Sequence, residues 1–101
     1  MNNRQKMYET NGLIKKELIK QGFHQIFLFP HLRFQRDYNF EGQGFDGIAW
    51  KKDDKRIYLL QLKTNCKPPK VILERYKDIN TKYYCVCLWA NRIKSKVEFY
   101  Y

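Results

Sequence analysis

Acid is scarce in this chain. Ten Asp and Glu stand against twenty Lys and Arg in 101 residues, a formal charge of +10. An excess of that size in so small a domain would serve general solubility, but it fits a polyanionic partner better. A nucleic-acid backbone is the expected one, bound in a salt-dependent way. Cysteine is also scarce. Cys66, Cys85 and Cys87 are an odd number with no pairable spacing, which excludes a disulfide scaffold and points to a reducing, cytoplasmic compartment. No apolar run approaches the ~18 residues a membrane span needs. The first twelve residues are polar, so no secretory leader is expected. Repeats, linkers and low-complexity tracts are missing too, leaving one domain over residues 1–101 with a lean core.

Periodicity supplies the elements. Arg4 to Gln21 reads as a helix, with Met7, Asn11, Ile14 and Leu18 in one stripe and Gly22 as its stop. Gln25 to Phe29 reads as a strand closed by Pro30. A long polar-aromatic loop follows, His31 to Gly44. Phe45–Trp50 and Arg56–Thr64 make two strands around the charged turn Lys51-Lys52-Asp53-Asp54-Lys55. Pro68-Pro69 opens a second helix near Val71 to Ile79, since proline is tolerated in a first turn. Tyr83 to Trp89 is strongly β-prone, and Lys96 to Tyr100 alternates like an edge strand. The sum is αβββαββ: an α/β domain with a central mixed sheet flanked by helices.

The chemistry gathers in the hairpin. Gln61 and Lys63 are separated by one residue, so they share a face at the end of an apolar strand. If the hairpin turns at Asp53-Asp54 through an even-length loop, facing residues have numbers that sum to 107. Asp46 then faces Gln61 on the same side of the sheet. A carboxylate, an amide oxygen and an ammonium would form one cluster. That set suits hydrolysis of a phosphodiester with a hard cation. Asp46 is the anionic ligand and Gln61 a neutral oxygen ligand, while Lys63 handles the attacking water or the developing charge.

Phe45-Asp46 followed, after a hairpin, by Gln61-Leu62-Lys63 resembles the active-site signature of the PD-(D/E)XK nuclease superfamily, with Phe45 where Pro is usual and Gln61 where Glu is usual. The element order resembles that superfamily's αβββαβ core over nearly the whole chain. The resemblance implies a single restriction-endonuclease-like domain and a Mg²⁺- or Mn²⁺-dependent DNA endonuclease, acting as a homodimer. It implies Asp46, Gln61, Lys63 and a first-helix Glu as catalytic residues, and Asp46, Gln61 and Leu62 around the metal. Small size, an opening helix that ends in Gly-Phe and a basic surface are most similar to archaeal or viral Holliday-junction resolvases. Structure-selective or nonspecific cutting is therefore expected rather than restriction specificity.

Glu9 is the first-helix acid nearest in type and place, yet its phase lies about 160° from the Met7/Ile14/Leu18 stripe, on which Asn11 falls. Either Glu9 bends in or Asn11 has replaced it. Arg33 and Arg36 in the long loop interleave with aromatics, a pattern that suits phosphates and unstacked bases. Lys67 and Lys70 lie just beyond Lys63 and would also meet DNA. His24 and His31 have no nucleophile partner in a recognisable motif and read as loop or DNA-facing residues. Cys85 and Cys87 read as small buried hydrophobes, because a zinc site wants four ligands. Phe99, Tyr100 and Tyr101 would serve a dimer contact or pack on the sheet. The competing readings are a catalytically silent nucleic-acid-binding module and a basic protein-interaction domain.

Overall fold

A five-stranded mixed sheet organises the chain, in a computed structural model that describes residues 3–29 and 45–101. In chain order the elements are α1 (Asn3–Lys20), β1 (Phe23–Leu28), β2 (Gly47–Lys51), β3 (Ile57–Thr64), α2 (Lys70–Lys82), β4 (Cys85–Ile93) and β5 (Lys96–Tyr100). Spatial order equals sequence order. β1–β2, β2–β3 and β4–β5 are antiparallel, and β3–β4 is the one parallel pair, joined through α2. Among the described residues, no helix is long and apolar enough to cross a membrane.

Alternation along the strands separates two cores. On one face α1 brings Ile14 and Leu18 onto Phe23, Ala49, Tyr58, Leu60, Val86, Leu88 and Ala90. On the other, Tyr76 of α2 covers Cys87 and Trp89, with Phe45, Leu59, Ile72, Leu73, Ile79 and Tyr100 around them. Even-numbered residues of β3 and β4 therefore face α1, and odd-numbered ones face α2. Phe99 packs against the first cluster and Tyr100 against the second, while Tyr101 is exposed.

α1 ends as its Gly22 predicts. That residue has φ +98°, a left-handed value that glycine takes without a Cβ penalty, and its N–H donates to the Ile19 carbonyl. The buried stripe is centred differently from the expected one. Thr10 is buried beside Ile14 and Leu18, and Asn11 only half so. β1 starts at Phe23, two residues before the expected strand, because Phe23 joins the α1 core and His24 is taken up in a bulge. The expected strand over Tyr83 to Trp89 is displaced as well. α2 runs on to Lys82, the Tyr83 N–H caps it by donating to the Ile79 carbonyl, and Tyr83 and Tyr84 are exposed in the connection. β4 begins at Cys85 and extends to Ile93, four residues past the expected end.

The β2–β3 hairpin has the expected register. Gly47 pairs with Leu60, Ile48 with Leu59 and Ala49 with Tyr58. Its turn is held by one carboxylate. Asp54 accepts bonds from the Arg56 backbone N–H (3.0 Å), Arg56 Nε (3.1 Å), Arg56 Nη2 (3.0 Å) and the Tyr58 hydroxyl (2.8 Å). These bonds, the Arg56 side chain foremost, hold the Asp54 carboxyl well below the usual carboxylate range. Gly47 is fixed by a close approach. A Cβ there would collide with the Phe27 carbonyl oxygen and stand 3.0 Å from Leu28 Cα.

Two outcomes are expected. Gly47→Ala should lower unfolding stability by roughly 1–3 kcal/mol through overpacking against backbone, read by urea denaturation. Asp54 has a depressed folded-state pKa, so its contribution is full above the unfolded value near ~4 and is lost as pH falls through the folded value. Asp54→Asn should therefore flatten the acid limb of the stability–pH curve and leave the neutral-to-alkaline limb unchanged.

Candidate functional site

Asp46 sits in a bend immediately before β2, and its backbone holds strands on both sides. Its N–H donates to the Leu60 carbonyl of β3 at 2.7 Å, and its carbonyl accepts the Phe29 N–H, just past β1, at 2.7 Å. A regular strand residue points both groups the same way. The bend instead lets the side chain take over strand pairing at the next step. Oδ2 of Asp46 accepts the Leu62 N–H at 2.8 Å, and Gln61 Nε2 reaches the same oxygen at 3.5 Å. The carboxylate is thus aimed into the fork where β2 leaves β3. Among the described residues, nothing donates to its Oδ1.

Gln61 is almost wholly buried, and Lys63 follows it on the α2 face at the end of β3. The parallel register sets Gln61 against Trp89 and Lys63 against Asn91. The Lys63 ammonium lies 5.7 Å from the Trp89 ring centroid, within cation–π range, and no carboxylate of the described residues is in salt-bridge reach of it. Beyond Thr64 the chain turns through Asn65, which has φ +51°. Two β4 side chains then hold the Cys66 backbone. Asn91 Oδ1 accepts its N–H at 2.9 Å, and Trp89 Nε1 donates to its carbonyl at 2.8 Å. Gln61, Lys63, Trp89 and Asn91 therefore occupy two adjacent rows of one sheet face, with Asp46 beside Gln61.

α2 contributes Tyr76, 5% exposed, whose ring stacks on Phe45 at 6.0 Å. Burial above all, with Cys87 and the Asp46 carboxylate adding, pushes its phenol well above the ordinary value, so it stays protonated. Among the described residues its hydroxyl has no hydrogen-bond partner, and neither has Nδ2 of the fully buried Asn91. Cys87 beneath them is inert. Burial, reinforced by Cys85, pushes its thiol up to about 12. Cys87 is thus the buried packing residue expected, whereas Cys85 is only half-buried.

The structure brings Asp46 to Gln61 and to the Leu62 main chain, and places Lys63 two residues along the same strand face, against the Trp89 ring. It does not bring Glu9. The Glu9 carboxylate lies 3.4 Å from Arg92 Nη2, next to Thr10, whose hydroxyl is 2.8 Å from that of Thr64 and accepts Arg92 Nη1 at 3.2 Å. Thr64 and Arg92 are even-numbered and face α1, whereas the candidate site is on the other side of the sheet. Glu9 is thereby committed to a clasp between α1 and the strand ends. Among the described residues, no hydrogen bond joins Asn11 to the site either. Lys67 and Lys70 are exposed just before and at the start of α2. Arg33, Arg36 and His31 lie outside the described residues.

Tyr76 and Asn91 escape a reading of the hairpin alone. The signal for Tyr76 is a hydroxyl-bearing ring on the buried Ile72/Tyr76/Ile79 stripe of an amphipathic helix. The signal for Asn91 is period two: Cys85, Cys87, Trp89 and Asn91 share a face, and a buried strand ends in a polar group, as β3 does. No protein-family model matches the chain, and no curated protein or solved structure matches it.

Replacing Asp46 should separate its structural and chemical roles. Asp46→Ala leaves the Leu62 N–H unpaired and should cost about 1–3 kcal/mol. Asp46→Asn keeps an acceptor there and should cost less than about 1 kcal/mol, measured by thermal or urea unfolding.

Proposed function

We propose that this chain is a metal-dependent DNA endonuclease of the PD-(D/E)XK kind, structure-selective or nonspecific, working as a homodimer so that two sites meet two strands. What supports the reading most is the convergence at the β2–β3 fork. The Asp46 carboxylate is pinned by the Leu62 N–H and touches Gln61, and Lys63 is the next inward residue of the strand. The five-stranded mixed sheet with a helix on each face accommodates a restriction-endonuclease-like core. The charge of +10 suits a phosphate backbone.

The donor set fits a hard cation that keeps most of its waters and shares a substrate phosphate, because it offers one carboxylate and neutral oxygens. Oδ1 of Asp46 and the carbonyl oxygen of Gln61 would hold it. Leu62 turns its side chain toward α1, so only its main-chain oxygen is available. A bound Mg²⁺ or Mn²⁺ would supply Lewis acidity and positive charge at the phosphate. The chain's own part is orientation. The Leu62 N–H fixes the carboxylate, and the Gln61 amide, whose Nε2 faces Asp46, would offer its oxygen to the cation. Lys63, braced on Trp89, donates to the attacking water or to a phosphate oxygen.

One observation favours a second reading. Gln61 meets Asp46 through its Nε2 donor, so a neutral amide partly satisfies the carboxylate without any cation. A nucleic-acid-binding module that kept the nuclease fold but not its catalysis would look like this. Cleavage of branched, single-stranded and duplex DNA with Mg²⁺ or Mn²⁺ separates the two. For the nuclease, Asp46→Asn and Lys63→Ala should each lower the rate on the order of 10²-fold or more, with binding retained. Gln61→Glu should tighten metal binding on the order of tenfold by adding a second carboxylate. Wild type and variants that all leave DNA intact while shifting it in gels would establish the silent module instead.

A further inference from the structure

Among the described residues, two buried side-chain polar atoms have no hydrogen-bond partner, and both belong to the candidate site. The Tyr76 hydroxyl and Asn91 Nδ2 are enclosed and unpaired, in residues 5% and 0% exposed. Leaving such a group unpaired costs on the order of 1–3 kcal/mol, so a protein rarely keeps two of them without use. Both are donors in their present state. Tyr76 is held protonated by burial, with the Asp46 carboxylate near enough to add to the effect. Asn91 spends its oxygen on the Cys66 N–H, which turns its NH₂ to the other side. The third free donor is the Lys63 ammonium, the register partner of Asn91, with no carboxylate of the described residues to neutralise it. Two of these donors thus stand in adjacent rows of one sheet face, and the third on the helix that covers that face, on the side where the single pinned carboxylate lies. What they lack is an acceptor.

We propose that Tyr76 and Asn91, with Lys63, form a phosphate-oxygen subsite next to Asp46. The ligand class is a phosphate group, the diester of a DNA strand on the nuclease reading, on which this assignment of substrate rests. Tyr76 and Asn91 position one non-bridging oxygen by neutral hydrogen bonds, and Lys63 adds charge. This division suits a site poor in carboxylate, because neutral donors bind the anion without drawing the Asp46 charge into an ion pair. It also gives α2 a role in the site, through its one buried residue.

Inorganic phosphate is the probe, added to the full chain without metal and compared with chloride at equal ionic strength. Wild type should gain melting temperature with phosphate beyond the chloride control. Tyr76→Phe removes only an unpartnered hydroxyl, so without phosphate it should melt no lower than wild type, and its phosphate affinity should fall about tenfold or more. Asn91→Asp keeps the acceptor for Cys66 and replaces the donor with an oxygen, so it should also lose the response. Equal phosphate responses in all three proteins would overturn the subsite, and so would a Tyr76→Phe chain that is less stable without phosphate, since its hydroxyl would then have a partner. Cleavage by the same proteins is read separately. If wild type cuts DNA, Tyr76→Phe should raise KM more than it lowers kcat. A phosphate response lost in the variants from a wild type that cuts nothing would uphold the subsite and end the nuclease reading. Cutting by all three proteins with an unchanged KM would do the reverse.

Discussion

The parallel pairing of β3 with β4 is the constraint on which the rest of this structure depends. Eight consecutive residues of each strand run in register, from Ile57 with Cys85 to Thr64 with Arg92. That length divides the side chains between two faces along the whole of both strands. One face becomes the larger core under α1, and the other carries the smaller core under α2 and the polar rows beyond it. A slip of one residue would turn one of the two strands over, setting Lys63 or Asn91 toward α1 and Leu60 or Leu88 toward α2. Polar and apolar positions thus specify each other. The apolar rows hold the register, and the register assembles the polar rows.

Much of the site was legible in the hairpin because a hairpin's register follows from one local quantity, the position of its turn. The Asp54 carboxylate gathers Arg56 and Tyr58 at that turn, and Asp46 meets Gln61 as the count requires. Helix and strand existence also followed from periodicity, with Gly22 as a sharp boundary. The failures are at contacts that cross the sheet. Glu9 is drawn off by Arg92, which lies far along the chain and reaches α1 only because β4 extends beyond Trp89. Asn91 comes to Lys63 through a crossover connection whose register no local feature encodes. The boundary between α2 and β4 was misplaced for a related reason. Tyr83 and Tyr84 have high strand propensity, but continued packing of α2 through Ile79 takes those residues for the connection.

The polar composition of the two helix–sheet contacts differs as well. α1 is attached by Ile14 and Leu18 in its second half and by the Thr10–Thr64–Arg92 clasp in its first. α2 is attached by apolar groups and by Asn80, whose Oδ1 accepts the Cys87 N–H at 2.7 Å, and its one buried side chain carries a hydroxyl with no partner among the described residues. Net charge does not reveal this asymmetry. It separates a structural use of polar groups, where every partner is present, from an arrangement that leaves donors open.

The backbone of Asp46 has a consequence for the order in which the molecule assembles. Its amide is anchored on β3 and its carbonyl on the residue that ends β1, so the carboxylate acquires its direction only when three strands have met. Residues 29 and 45 are separated by fifteen residues of sequence, and bringing them together is entropically slower than forming the β2–β3 hairpin alone. Competence at the fork is therefore a late event in folding. Fraying of β1, an edge strand, would unmake the site while leaving the central pair of strands intact.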